Sequence, residues 1–233
     1  DQSSDYPADA KTKTNLGSYT SPSIEKIIAL NPDLILATAV HQAKVIPILE
    51  SMGYTVLALD PKTIEEVLDA ITLVGKVTNT QAEAAELVAS LGKRVKAVTD
   101  QTKGLADAKR PKVFYIVWYN PLMGPGKGTF QDDMIIKAGG TNIASSLNGF
   151  ATISLEAVIA ANPEIMIAGI SMGTDMTDQN VAFMRNEPRL KDSPARLNNR
   201  IYMLDGNIVS RPGPRIVDAL EQFAKFIHPE LFK

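Results

Sequence analysis

The stretch SIEKIIALNPDLILA, residues 23–37, returns later in the chain as SLEAVIAANPEIMIA, residues 154–168. Aligned from 21 and 152, the two windows share seven of seventeen positions: Ser23/Ser154, Glu25/Glu156, Ile28/Ile159, Ala29/Ala160, Asn31/Asn162, Pro32/Pro163 and Ala37/Ala168. Most other pairs set apolar on apolar, and Asp33 faces Glu164. An internal repeat constrains architecture more firmly than local propensity, and two copies are too few for a solenoid, which needs about three. Two similar lobes are the expected result.

Each copy reads as helix, turn and strand. Ser23 and Ser154 stand where a side-chain oxygen can accept from a free amide of the opening turn. Glu25 and Glu156 follow at the positive end of the helix dipole. Asn31-Pro32 and Asn162-Pro163 end the helices, because the residue before proline is driven out of the helical region. The runs Leu34–Ala37 and Ile165–Ala168 are short, apolar and bounded by turns, as parallel strands buried on both faces are.

The alternation continues outward. Helices are expected at Val45–Met52, Ile64–Val74, Phe130–Ala138 and Pro214–Phe226, and strands at Thr55–Leu59, Val113–Val117 and Ile201–Leu204. Strands separated by helices predict an α/β fold with parallel-rich sheets. Between the halves, Leu87, Leu91, Val95 and Val98 recur at helical spacing inside Thr80–Thr102, a helix of roughly 35 Å at 1.5 Å per residue. The expected organisation is an N-terminal lobe at 1–79, an inter-lobe helix and exit loop at 80–104, and a C-terminal lobe at 105–233.

Composition narrows the class. With 233 residues, 45% of them hydrophobic, the chain can build ordinary globular cores. A net charge of −2 argues against a broad basic face for nucleic acid. No apolar run approaches the ~20 residues of a membrane helix. Cysteine is absent, which excludes disulfides, thiolate zinc sites and thiol nucleophiles.

The segments SDYP at 4–7, GSYTSPSIEKIIALNPDLILA at 17–37, GKGTFQDDMIIKAGGTNIA at 126–144, the second copy of the repeat, and RPGPRIVDALE at 211–221 resemble the substrate-binding proteins of ABC importers for cobalamin, ferric siderophores and haem. The resemblance covers nearly the whole chain. It implies a non-enzymatic receptor with a helical backbone that holds a metal chelate in the cleft between its lobes and delivers it to a membrane permease. No catalytic residue, resident metal or cofactor is implied. It places the protein outside the cytoplasm, either periplasmic or anchored through a lipid removed from this chain.

Cobalamin-binding members of that family carry a surface glutamate on each lobe that docks on permease arginines, and Glu25 and Glu156 match those positions. Such proteins also begin with a strand-helix-strand unit ahead of the SDYP-like segment. The first lobe is therefore expected to be incomplete here, with an open sheet edge that invites a dimer. The resemblance places Tyr19 where relatives pack an aromatic on the corrin, and Thr38 where they place another. Loops following parallel strands should supply the remaining contacts. Trp118 and Tyr119 offer apolar faces with polar tips, His41 an imidazole, and Arg211 a forked cation, with Arg215 in the following helix. Tyr19 favours cobalamin or a related corrinoid, the arginines favour a ferric siderophore, and haem ranks third.

Rival readings are weaker. GPGKGT at 124–129 lacks the spacing of a phosphate loop, and Thr129 with Asp132 reads as a helix cap. Neither a nucleophile elbow nor a zinc-protease motif is present, and Asp132-Asp133 opens a helix without needing any catalysis. An α/β enzyme of unknown reaction stays as the alternative.

Overall fold

The structure is a computed structural model that describes residues 4–170 and 176–232. Contacts divide the chain after Asp60 into two compact units, residues 1–60 and 61–233. In the first unit, α1 (Ile24–Ala29), β1 (Ile35–Thr38), α2 (Val45–Ser51) and β2 (Val56–Leu59) follow in order. β1 and β2 pair in parallel, with Ile35 opposite Val56 and Thr38 opposite Leu59. Ser23 Oγ accepts from the Lys26 amide at 3.2 Å, and so caps α1 as its position requires.

The second unit opens with α3 (Ile64–Val77) and α4 (Gln81–Thr102). It continues with β3 (Lys112–Ile116), β4 (Trp118–Tyr119), β5 (Leu122–Pro125), α5 (Phe130–Lys137), β6 (Thr141–Asn142), β7 (Phe150–Thr152), α6 (Leu155–Ala161) and β8 (Ile165–Ile170). It closes with α7 (Met176–Asn186), α8 (Pro194–Leu197), β9 (Ile201–Asp205), α9 (Gly206–Val209) and α10 (Ile216–Ile227). The main sheet has the order β6-β3-β8-β9 and every pair is parallel.

Successive side chains of that sheet enter different cores. Val113 and Tyr115 of β3, with Ile165 and Ile167 of β8, join the cluster built with α3, α4, α5 and α10. Phe114, Ile116, Met166 and Ala168 join the cluster on the opposite face with Val158 of α6, Val181 and Met184 of α7, and Ala195 of α8. A sheet covered on both sides needs apolar residues at every position, and the unbroken runs VFYI and IMIA supply them.

α4 is 22 residues long, about 33 Å. It buries Leu91, Val95, Val98 and Thr102 along one stripe. Gly75 of α3 lets the two helices approach, since a Cβ there would stand 2.4 Å from the Ala84 Cβ. Arg94 ties α4 to α10: its Nε and Nη2 donate to the two Glu221 oxygens at 2.8 and 2.7 Å, and Nη2 also donates to Asp218 at 2.6 Å.

The α/β class and its parallel-rich sheets agree with the sequence reading. Several details differ from it. α3, read from the sequence as the end of the first lobe, packs on α4 in the second unit. Asn31 and Asn162 do not move to extended backbone before their prolines. They adopt left-handed conformations, φ 44° and 54°, which asparagine tolerates at a helix end. Trp118 and Tyr119, expected in a loop after a parallel strand, begin an antiparallel ribbon, β4-β5-β7. Arg215 stands one residue before α10 rather than inside it.

Candidate ligand-binding site

Tyr19, Thr38 and His41 meet within the first unit. The Tyr19 hydroxyl lies 3.0 Å from Thr38 Oγ1, and its ring meets the His41 ring edge-on at 5.5 Å. The Thr38 amide donates to His41 Nδ1 at 3.2 Å. An imidazole nitrogen that accepts from an amide is unprotonated, so Nε2 carries the hydrogen and donates it to the Tyr19 carbonyl at 2.7 Å. Both ring nitrogens are thus engaged inside the loop, and metal coordination by His41 would require one of these bonds to break. Tyr19 keeps about half its surface exposed, at 49%.

Trp118 and Tyr119 sit side by side in the second unit, with ring centroids 5.4 Å apart and planes tilted by 48°. Tyr119 also packs against the core cluster on the α6 face, so part of its ring is structural. Arg211, in the same unit, lies on the wall of a cavity of about 320 Å³ that Val117, the neighbour of Trp118, also lines. Tyr115 and Ile116 of β3, Gly169 of β8, Gln131 of α5, and Asn207 and Ser210 around α9 contribute to the lining. The cavity opens at the C-terminal ends of parallel strands, where the loops of such sheets diverge. Phe150, 54% exposed, stands among its lining residues.

The cavity is polar in a specific way. Burial, opposed by the Gly169 amide and the Gln131 side chain that reach its oxygen, drives the Tyr115 phenol well above its ordinary pKa. It remains a protonated donor at neutral pH. Of these residues only Arg211 was anticipated from the sequence. Gln131 and Asn207 carry one local signal: each is an uncharged amide near a helix start, buried with the apolar residues that follow it.

The paired glutamates differ in setting. Glu25 is exposed, with no hydrogen bond or ion pair among the described residues. Glu156 is 75% exposed and meets Arg189 Nη1 at 3.2 Å, while that arginine also holds Glu187 at 2.9 Å. Ser154 Oγ accepts from the Ala157 amide at 3.1 Å, repeating the cap of α1. No cluster of three metal-ligating side chains occurs among the described residues. His228, given no role from the sequence, is buried and bonded to Glu230 and the Gly139 carbonyl.

An α/β chain with a cavity at the C-terminal ends of its parallel strands has the layout of a ligand-binding protein. Residues 1–208 match the periplasmic binding protein family, and the chain belongs to it. A substrate-binding protein of the ABC-transporter class, it is extracytoplasmic and not an enzyme, and what such proteins hold is cargo rather than cofactor.

The chain is 27% identical to the uncharacterized ABC transporter substrate-binding lipoprotein YvrC of Bacillus subtilis, over 98% of this chain and 72% of that protein. It is 31% identical to the vitamin B12-binding protein of Salmonella typhi, over 71% of this chain and 62% of that protein, so it spans under two thirds of that relative. A possible iron-binding, periplasmic solute-binding protein from Staphylococcus epidermidis superposes with a TM-score of 0.80 at 28% identity, covering 96% of this chain and 87% of that one. A periplasmic heme-binding protein from Pseudomonas aeruginosa superposes at 0.82 with 23% identity, covering 98% and 84%, which speaks for the fold alone. No described helix is long and apolar enough to cross a membrane.

Proposed function

We propose that this chain captures cobalamin or a related corrinoid and hands it to the membrane subunits of an ABC importer. The observation that carries this reading is the 31% identity to a vitamin B12-binding protein over 71% of the chain. The ligand contacts in this reading are Tyr19, Thr38 and His41 in the first unit and Trp118, Tyr119 and Arg211 in the second. Aromatic rings with polar tips suit a large planar ring with a polar rim. A ferric siderophore is the second reading, supported by Arg211 on the cavity wall.

Calorimetric titration with cobalamin, a ferric catecholate siderophore and haem tests the choice. Cobalamin should bind tightest, and its absorption spectrum should stay unchanged because both His41 nitrogens are engaged. Tighter binding of either other chelate removes the corrinoid reading. Glu25 and Glu156 would dock on permease arginines, and in that act Glu156 would exchange Arg189 for the permease. Glu25→Lys with Glu156→Lys should leave cobalamin affinity unchanged and abolish uptake into cells. Unaffected uptake refutes the docking role.

A further inference from the structure

The segment GKGTFQDDMIIKAGGTNIA, residues 126–144, holds three buried polar side chains that take no part in the cavity lining: Thr129, Asp132 and Asn142. Asn142 Nδ2 donates to the Pro125 carbonyl and to Asp132 Oδ1, both at 2.7 Å, and its Oδ1 accepts from the Ala144 amide at 3.0 Å. Reversing that amide would set an oxygen against two oxygens and a nitrogen against an N–H, so its orientation is fixed. Thr129 Oγ1 accepts from the Asp132 amide at 3.3 Å and donates to the Gly126 carbonyl at 2.8 Å, which closes the loop between β5 and α5.

Asn142, on β6, therefore joins β5 to α5. Pro125 ends β5 and stands opposite Phe150 of β7 in the ladder, and Asp132 directly follows Gln131 in α5. Phe150 and Gln131 both line the cavity, whereas Asn142 does not. The Gly126 amide donates to the Gly149 carbonyl and the Gly149 amide to the Lys127 carbonyl, each at 2.8 Å, so a shift of Phe150 carries Pro125 with it. The same ribbon carries Trp118 and Tyr119. We infer that Asn142 is a positioning residue for cargo binding: by tying the ribbon to α5 it fixes the separation of Phe150 and Gln131 in the cavity wall and the placement of the Trp118-Tyr119 pair. The inference rests on the reading that cargo meets this unit at Trp118, Tyr119 and the cavity. A buried amide with both hydrogens and its oxygen engaged specifies one arrangement of the groups it joins. A site held in that arrangement beforehand is spared the cost of ordering its side chains on association.

Asn142→Ala tests it in the full chain, at a temperature where urea unfolding shows the variant to be fully folded. Cobalamin should bind about five- to tenfold more weakly, the effect of having to order one or two loosened rings on association. The near-UV circular dichroism of the free protein should show an altered band for Trp118, the one tryptophan of the chain. Lowered stability with an unchanged affinity, or with an unchanged band, overturns the inference, because the network would then serve folding alone. If Asn142→Ala does not fold, Asp132→Ala takes its place, since it leaves the bond to Pro125 standing; both changes are expected at smaller size, and the absence of either overturns the inference. Should the unaltered protein not bind cobalamin, the cargo reading fails, and the Trp118 band, which needs no cargo, still decides the role of Asn142.

Discussion

Replacing Gly169 by alanine tests how tightly the cavity floor is built. A Cβ at that position would lie 2.4 Å from the Tyr115 hydroxyl oxygen, 3.1 Å from Val209 Cγ1 and 3.6 Å from the Gly206 Cα. Tyr115 cannot swing aside easily, because it is 3% exposed and stacks on Phe223 with ring centroids 6.0 Å apart and planes within 14°. Overpacking of this kind costs about 1–3 kcal/mol.

Tyr115→Phe removes the oxygen that the new methyl group meets, and by itself costs about 1 kcal/mol in lost hydrogen bonding. In that background Gly169→Ala should cost at least about 1 kcal/mol less, a coupling of the size found between residues in contact. Urea unfolding followed by the fluorescence of Trp118, the one tryptophan of the chain, reads the unit that contains both residues. With a slope near 2 kcal/mol per molar, the single alanine variant should lower the midpoint by about 0.5–1.5 M. An equal alanine cost in both backgrounds refutes the reasoning, since the clash would then lie elsewhere.

Three further outcomes follow from the same geometry. The Tyr115 phenol is held protonated by burial against an ordinary value of 10.0, so its contribution to stability is complete below pH ~10 and falls as pH rises further, because the unfolded chain ionises first. Denaturation at pH 8 and pH 11 should show a smaller loss for Tyr115→Phe than for the unaltered protein. Arg94→Met removes the forked link between α4 and α10; with side chains 37–41% exposed, solvent screening limits the cost to about 1 kcal/mol, and Arg94→Lys should recover only part of it in thermal unfolding. His41→Ala removes the acceptor of the Thr38 amide and the donor to the Tyr19 carbonyl. Hydrogen exchange at Thr38 should accelerate by roughly five- to thirtyfold, corresponding to about 1–2 kcal/mol of local opening.

Strands β3 and β8 were legible because they are buried on both faces, which left continuous apolar runs; β1 carries a similar run but leaves Leu36 49% exposed. The helix starts at Ser23, Ser154 and Thr129 were legible for a local reason: each hydroxyl caps an amide three residues on. The ribbon β4-β5-β7 was not, since strands of two to four residues are too short for an alternation to develop. The cavity was invisible because Tyr115, Gln131, Gly169 and Asn207 lie on four separate elements and meet only through sheet register. The sequence likewise supplied an imidazole at His41 but not its engagement, which depends on a carbonyl 22 residues away.

Among its described residues the first unit buries only Ile27, Ala37, Ile46 and Leu49 of its apolar side chains, and its sheet there is a single parallel pair. Against the two large clusters of the second unit, that is little to hold a segment of sixty residues closed. Heat or a protease should therefore reach it first, leaving a resistant C-terminal fragment and an unfolding curve in two steps, so that one melting temperature would describe neither part.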